Sequence, residues 1–165
     1  MMPRVDPELH EFEVLERLIA EGRYSAEEIL ESLAALAELQ RWDDLWSIAD
    51  RMGREVSVLF DSEMRIWVDV GTAGRVELEA PIGSTIPFRM WIHTHPKNAY
   101  WSETDLATLS SHGSILKRAI VLGFDHMKIT NRVSYPQVDC LGSGSLSMWT
   151  DEPIIRFSEV DYVQF

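Results

Sequence analysis

Along the first third of the chain apolar residues return every three or four positions, and beyond Gly53 they alternate with polar ones. The first pattern belongs to helices buried on one face, the second to strands. Within residues 7–21, Leu9, Phe12, Leu15, Leu18 and Ile19 form one stripe, and Gly22 ends the predicted helix. Ser25 and Glu28 have the spacing of a capping box ahead of a second helix carrying Ile29, Leu30, Leu33, Leu36 and Leu39. Asp43 or Asp44 opens a third through Leu45, Ile48, Ala49 and Met52. Core packing is the simplest use of all three stripes.

From Glu55 onward, Val56, Val58 and Phe60 read as one strand and residues 65–70 as another, joined as a hairpin through Asp61-Ser62-Glu63. A turn at residues 71–74 leads into a predicted strand over 75–79, and residues 87–95 form a further strand that Pro96 stops. A helix follows over residues 102–111, then strands over 118–124 and 127–135, a flexible Gly/Ser loop at 142–147 and an extended segment over 154–157. Gly142-Ser143-Gly144-Ser145 lacks the third glycine and the following helix of a dinucleotide-binding fingerprint. The pattern predicts an α/β fold with helices against a sheet, divided into a helical segment over residues 1–52 and a main domain over 53–165.

Length and composition narrow the function. The 165 residues suit one core, and 45% apolar content with six Trp, six Phe and four Tyr excludes global disorder. The longest apolar run, residues 119–124, falls far short of a membrane span, and the acidic, Pro-containing start does not read as a signal peptide. A soluble, cytoplasmic protein is expected, with no membrane partner. Cys140 is the one cysteine, which rules out an internal disulfide and any CxxC zinc knuckle. A net charge of −12 repels phosphate backbones, so no nucleic-acid partner is expected.

The candidate chemistry lies in His93-Thr94-His95-Pro96, followed by Ser102-Glu103-Thr104-Asp105. On a strand His93 and His95 project from the same face as Trp91, with Ile92 and Thr94 opposite. The loop after Pro96 leads to a helix whose first turn brings Asp105 toward the imidazoles. Two neutral imidazoles and a carboxylate suit zinc, and three protein ligands leave a coordination position for water, the mark of a catalytic site. Hydrolysis also needs a glutamate to move protons and a donor for the oxyanion; Ser102 stands at the helix N-terminus, where it can donate. Ser102 and Asp105 equally form an ordinary helix start, and the two roles can coexist. His10, His112 and His126 lack such neighbours and receive no role.

These residues resemble the JAMM, or MPN+, zinc metalloproteases, whose pattern is an upstream Glu, H-[S/T]-H-P, a short loop and S-x-x-D. The resemblance implies a deaminase-like curved mixed sheet flanked by helices, zinc held by His93, His95 and Asp105, a glutamate as general acid/base, and Ser102 steadying the oxyanion. Six residues separate His95 from Ser102, where the pattern usually has seven. Glu55, Glu63, Glu77 and Glu79 lie upstream; Glu55 opens the strand Glu55-Val56-Ser57-Val58-Leu59-Phe60, which looks like the family's E-x-x-x-L-hydrophobic segment, 38 residues before His93. Glu63 falls in the turn, and Glu77 and Glu79 read as exposed strand positions.

The similarity covers roughly residues 54–135 and leaves residues 1–50 unexplained. Residues 54–61 and Phe124-Asp125-His126-Met127-Lys128-Ile129 look similar to the RadC-like branch, whereas Thr94 and the aromatic before Ser102 resemble the ubiquitin-chain-cleaving branch. The implied activity is zinc-dependent isopeptidase cleavage at the C-terminal tail of a ubiquitin-like or sulfur-carrier protein. Such a tail is expected to add as a strand at the sheet edge beside the metal. Alternatives are a RadC-like protein of other function, or a non-catalytic scaffold of the same fold whose N-terminal helices dock a partner. Zinc deamination of nucleobases requires H-x-E with P-C-x-x-C, which one cysteine excludes.

Overall fold

A computed structural model describes residues 2–71 and 78–165. Its sheet has seven strands: β1 (Arg4–Val5), β2 (Val56–Phe60), β3 (Ile66–Val70), β4 (Met90–Thr94), β5 (Arg118–Leu122), β6 (His126–Asn131) and β7 (Ile155–Arg156). They lie in the order β1-β3-β2-β4-β5-β6-β7. All neighbours are antiparallel except β4 and β5. Four α-helices accompany them: α1 (Phe12–Ala20), α2 (Glu27–Glu38), α3 (Trp42–Met52) and α4 (Glu103–Ser111). The mixed α/β class expected from the sequence is present.

The parallel pair determines where a site can form. Parallel strands need a crossover, and α4 supplies it, so the start of α4 follows the C-terminal end of β4. There β4 has an antiparallel neighbour on one side and a parallel one on the other, a switch in connectivity of the kind that opens a crevice at strand ends.

Each face of the sheet carries its own core. Val56, Val58, Phe60, Met90, Ile92, Ile120 and Leu122 pack with α1, α2 and α3. Leu59, Trp67, Trp91 and Ala119 face the other way, onto Phe88, Leu109, Leu116 and Trp149. The strand period of two sorts the residues cleanly. Near residue 53 the element type changes while the packing continues, because the helices of the first 52 residues and the sheet share one apolar cluster. Gly53, at φ 62°, ends α3 in the left-handed conformation and turns the chain into Glu55 and β2.

Several boundaries differ from the sequence expectation. The first helix begins at Phe12, and Leu9 and Phe12 are 44% and 50% exposed, because residues 8–10 run extended along α2. There Glu8 N–H donates to Glu31 O at 3.1 Å and His10 N–H to Ser32 Oγ at 3.1 Å. The Ser25 capping box does not form: the turn closed by Ala26 N–H on Arg23 O keeps Ser25 outside, and Ala26 stands before α2. Trp42 already starts α3, with Asp43 and Asp44 in its first turn, where acidic groups favour the helix dipole.

Downstream, residues 75–77 of the expected strand lie outside the described residues, and Leu78 and Glu79 are not in a strand. At Asn131 β6 stops short, and Val133 N–H bonds instead to Met148 O at 2.8 Å. The Gly/Ser loop contains a 3-10 turn over Gly144–Met148, anchored by the next residue, Trp149, whose buried indole N–H donates to Leu109 O at 3.0 Å. No helix among the described residues is long and apolar enough to cross a membrane.

Asp61 fastens the end of β2. Its buried carboxylate accepts the backbone N–H groups of Arg65 at 2.9 Å, Glu63 at 3.0 Å and Thr85 at 3.3 Å. Arg65 Nε at 2.9 Å and the Trp67 indole at 3.3 Å complete the set. Burial alone would raise this pKa; the hydrogen bonds from Arg65, Trp67, Thr85 and Glu63 outweigh it and hold the carboxyl below its usual range. Replacing Asp61 by Ala orphans these donors, and urea unfolding should register a loss of about 2–4 kcal/mol. Because the folded pKa lies below the unfolded value of ~3.9, the carboxylate's contribution is complete above that value and disappears as pH falls through the folded one. The gap between wild type and Asp61→Ala should therefore narrow in acid.

Candidate metal centre

The five residues of β4 are all buried, so the direction of each side chain decides its use. Met90 and Ile92 enter the helix-covered core, whereas Trp91 and His93 point to the opposite face. His95 lies one residue past the strand, and its N–H still bonds to Leu122 O at 2.8 Å. Trp91 stacks on His93 with ring centres 4.2 Å apart and planes 13° apart, while its indole N–H donates to Ser57 Oγ at 2.7 Å. Tyr100 meets His95 edge-on at 4.7 Å, and Trp101 stands 6.0 Å from His93. From the other face, Trp46 on α3 donates to the carbonyl of His95 at 2.8 Å.

The third group arrives on α4. Ser102 is the N-cap of this helix: its Oγ accepts Asp105 N–H at 3.1 Å, and Asp105 Oδ2 accepts Ser102 N–H at 3.0 Å. This reciprocal pair satisfies two donors that a helix start leaves open. It also fixes the carboxylate's direction. Oδ1 of Asp105 lies 3.0 Å from His93 Nε2, and Oδ2 lies 3.0 Å from His95 Nε2. His93, His95 and Asp105 are 1%, 5% and 3% exposed.

The distances resemble a hydrogen-bonded pair, but the angles do not for His93, neither of whose ring nitrogens completes a hydrogen bond. His95 Nδ1 is likewise unpartnered. A buried polar atom without a partner costs about 1–3 kcal/mol. Two nitrogen or oxygen ligands on one tetrahedral zinc stand roughly 3.3 Å apart, close to the spacing found here. Burial by itself would raise the pKa of Asp105; electrostatic attraction to the close His93 ring, the contact with His95 and the hydrogen bond from Ser102 N–H overcome this and hold the carboxyl far below its usual range. An anionic oxygen and two imidazole nitrogens thus converge, and the group could hold a metal ion.

Glu55 stands next to this group. Glu55 directly precedes β2, whose Ser57 pairs with His93, and it lines one cavity with His95. Thr94 Oγ1 accepts Val56 N–H at 2.9 Å and fixes the strand there. Buried Glu55 and His95 line a mostly apolar cavity of about 120 Å³ together with Trp46, Thr94 and Pro96. Glu63 sits in the turn beyond the opposite end of β2, paired with Arg65 at 3.0 Å, and Glu79 is exposed. Glu77 lies outside the described residues.

One expectation fails on geometry. Hydrogen bonds to β2 and β5 occupy both sides of β4, so among the described residues no open sheet edge adjoins the three groups; the ends of the strand order are β1 and β7. Sequence reasoning also missed Trp46, which reaches the carbonyl of His95, Ser57, which accepts the Trp91 indole N–H, and Tyr100, edge-on to His95. A second cluster joins His10 to Glu31 at 2.8 Å and Glu8 at 3.8 Å. It is partly exposed, and the His10–Glu31 pair accounts for it.

No protein-family model, no curated protein and no solved structure matches this chain. Calorimetric titration with Zn²⁺ or Co²⁺ should find about one tight site per chain. Combining His93→Ala with His95→Ala should abolish it while far-UV circular dichroism stays unchanged; undiminished binding would remove the site from these residues.

Proposed function

We propose that this chain is a zinc metallopeptidase of the JAMM type, built on a deaminase-like sheet, that hydrolyses an amide bond at the C-terminal tail of a ubiquitin-like or sulfur-carrier protein. The observation that carries the reading is the pair of buried imidazoles facing the two oxygens of one carboxylate, with Glu55, just before β2, lining one cavity with His95. Two histidines and an aspartate form a ligand set that suits zinc and leaves a position for solvent. When bound, zinc supplies the Lewis acidity that makes water nucleophilic near neutral pH.

The chain's own residues complete the mechanism. The Glu55 carboxylate takes the proton of the attacking water and delivers it to the leaving amine. Ser102 Oγ accepts Asp105 N–H, which leaves its hydroxyl proton to donate to the oxygen where negative charge develops. Trp91, packed flat on His93, and Tyr100, edge-on to His95, hold the rings in place. With no sheet edge beside the site among the described residues, a tail enters across the strand ends, past the cavity at Glu55 and His95. A slender chain such as a Gly-Gly terminus suits that approach.

The test is a panel of ubiquitin-like fusions incubated with the zinc-loaded protein, with and without chelator. Cleavage should require the metal. Glu55→Gln should retain zinc and lose turnover by ~10²–10⁴-fold. Full activity in that variant would move proton transfer to another group. Absence of metal-dependent cleavage from every fusion, despite bound zinc, would favour the non-catalytic scaffold.

A further inference from the structure

The six residues between His95 and Ser102 must carry the chain from two of the three metal-facing groups to the helix bearing the third. Their path is fixed by the turn joining β5 to β6. Phe124 N–H donates to Lys97 O at 2.8 Å, and Ala99 N–H donates to Nε2 of His126 at 2.9 Å. Gly123 lets the two segments touch: a Cβ there would stand 2.5 Å from Ala99 N and 2.9 Å from Lys97 O. Ala99 is buried, so its N–H needs the acceptor that it finds.

The surroundings of His126 select the tautomer this requires. Its Nδ1 faces the carbonyl of Phe124 and, at 3.1 Å, Oδ1 of Asp125, two acceptors that keep the ring proton on Nδ1. The Nε2 lone pair is then directed at Ala99. Arg156 holds the other oxygen of Asp125 at 2.8 Å, and His126 pairs with Arg156 across β6 and β7. The ring is thus held from the side opposite the loop's amide.

We propose that His126 is a positioning residue for the metal site: by accepting Ala99 N–H it locks the loop over residues 96–101, and so delivers Ser102 and Asp105 to the two imidazoles. This rests on the reading of His93, His95 and Asp105 as metal ligands. Outer groups that orient ligands typically govern metal affinity by 10–100-fold, and here the control passes through the backbone.

The experiment measures Zn²⁺ affinity by competition with a chromophoric chelator, and exchange of the Ala99 amide by NMR in metal-free protein. In His126→Ala, the Zn²⁺ Kd should rise about tenfold or more, and Ala99 should exchange faster. His126→Gln, which offers an acceptor again, should recover most of both. Gly123→Ala keeps the imidazole but pushes the loop away, and should weaken Zn²⁺ binding in the same direction even if His126→Ala fails to fold. Wild-type affinity in both His126→Ala and Gly123→Ala would overturn the proposal, as would faster Ala99 exchange with an unchanged Kd. Absence of Zn²⁺ binding by the wild type would instead overturn the reading of the triad, and this proposal with it.

Discussion

The carboxylate of Asp105 serves the backbone and the site at once. It accepts the N–H of Ser102 to complete the start of α4, and it faces the Nε2 atoms of His93 and His95. A carboxylate on a free rotamer would lose entropy on meeting two imidazoles; this one is already oriented by its helix. Secondary structure thereby acts as the outer support of the site. The burial of all three groups follows, since a charged oxygen is tolerated in the interior when its lone pairs are answered.

That arrangement depends on the direction of two strands. Because β4 and β5 run parallel, the chain must leave β4 at one end of the sheet and return to the other, and the start of the returning helix falls where the histidines end. An antiparallel hairpin at this point would place a tight turn there, with no helix start to present a carboxylate. On the other flank, the antiparallel register pairs Ser57 of β2 with His93, and Glu55, just before that strand, lines one cavity with His95. The two kinds of pairing bring groups from residues 55, 93, 95 and 105 together.

Local rules made some of this readable in advance and left the rest hidden. His93 and His95 are two positions apart on a strand, so their common face followed from the pleat alone. Ser102 and Asp105 had the spacing of a helix start, and the structure builds that cap. Ser25 and Glu28 had similar spacing, but a preceding turn takes Ser25 out of position, a competition that a spacing rule does not register. Strand β1 is two residues long, too short for any period to appear. The place of β4 within the sheet, and hence the lack of an edge beside the histidines, is a matter of topology set by distant segments. The link from His126 to the loop was hidden because its partner is a backbone amide, which every residue but proline possesses.

The helix-facing side of the sheet has a further consequence. Val56, Val58, Ile92 and Ile120 are covered by helices that precede the sheet strands bearing the histidines, and Trp46 reaches from those helices to the carbonyl of His95. A fragment cut to the recognisable motif would leave an oily slab open to water and would be prone to stick to its own kind. The smallest autonomous folding unit around these histidines therefore extends well upstream of the motif that draws the eye.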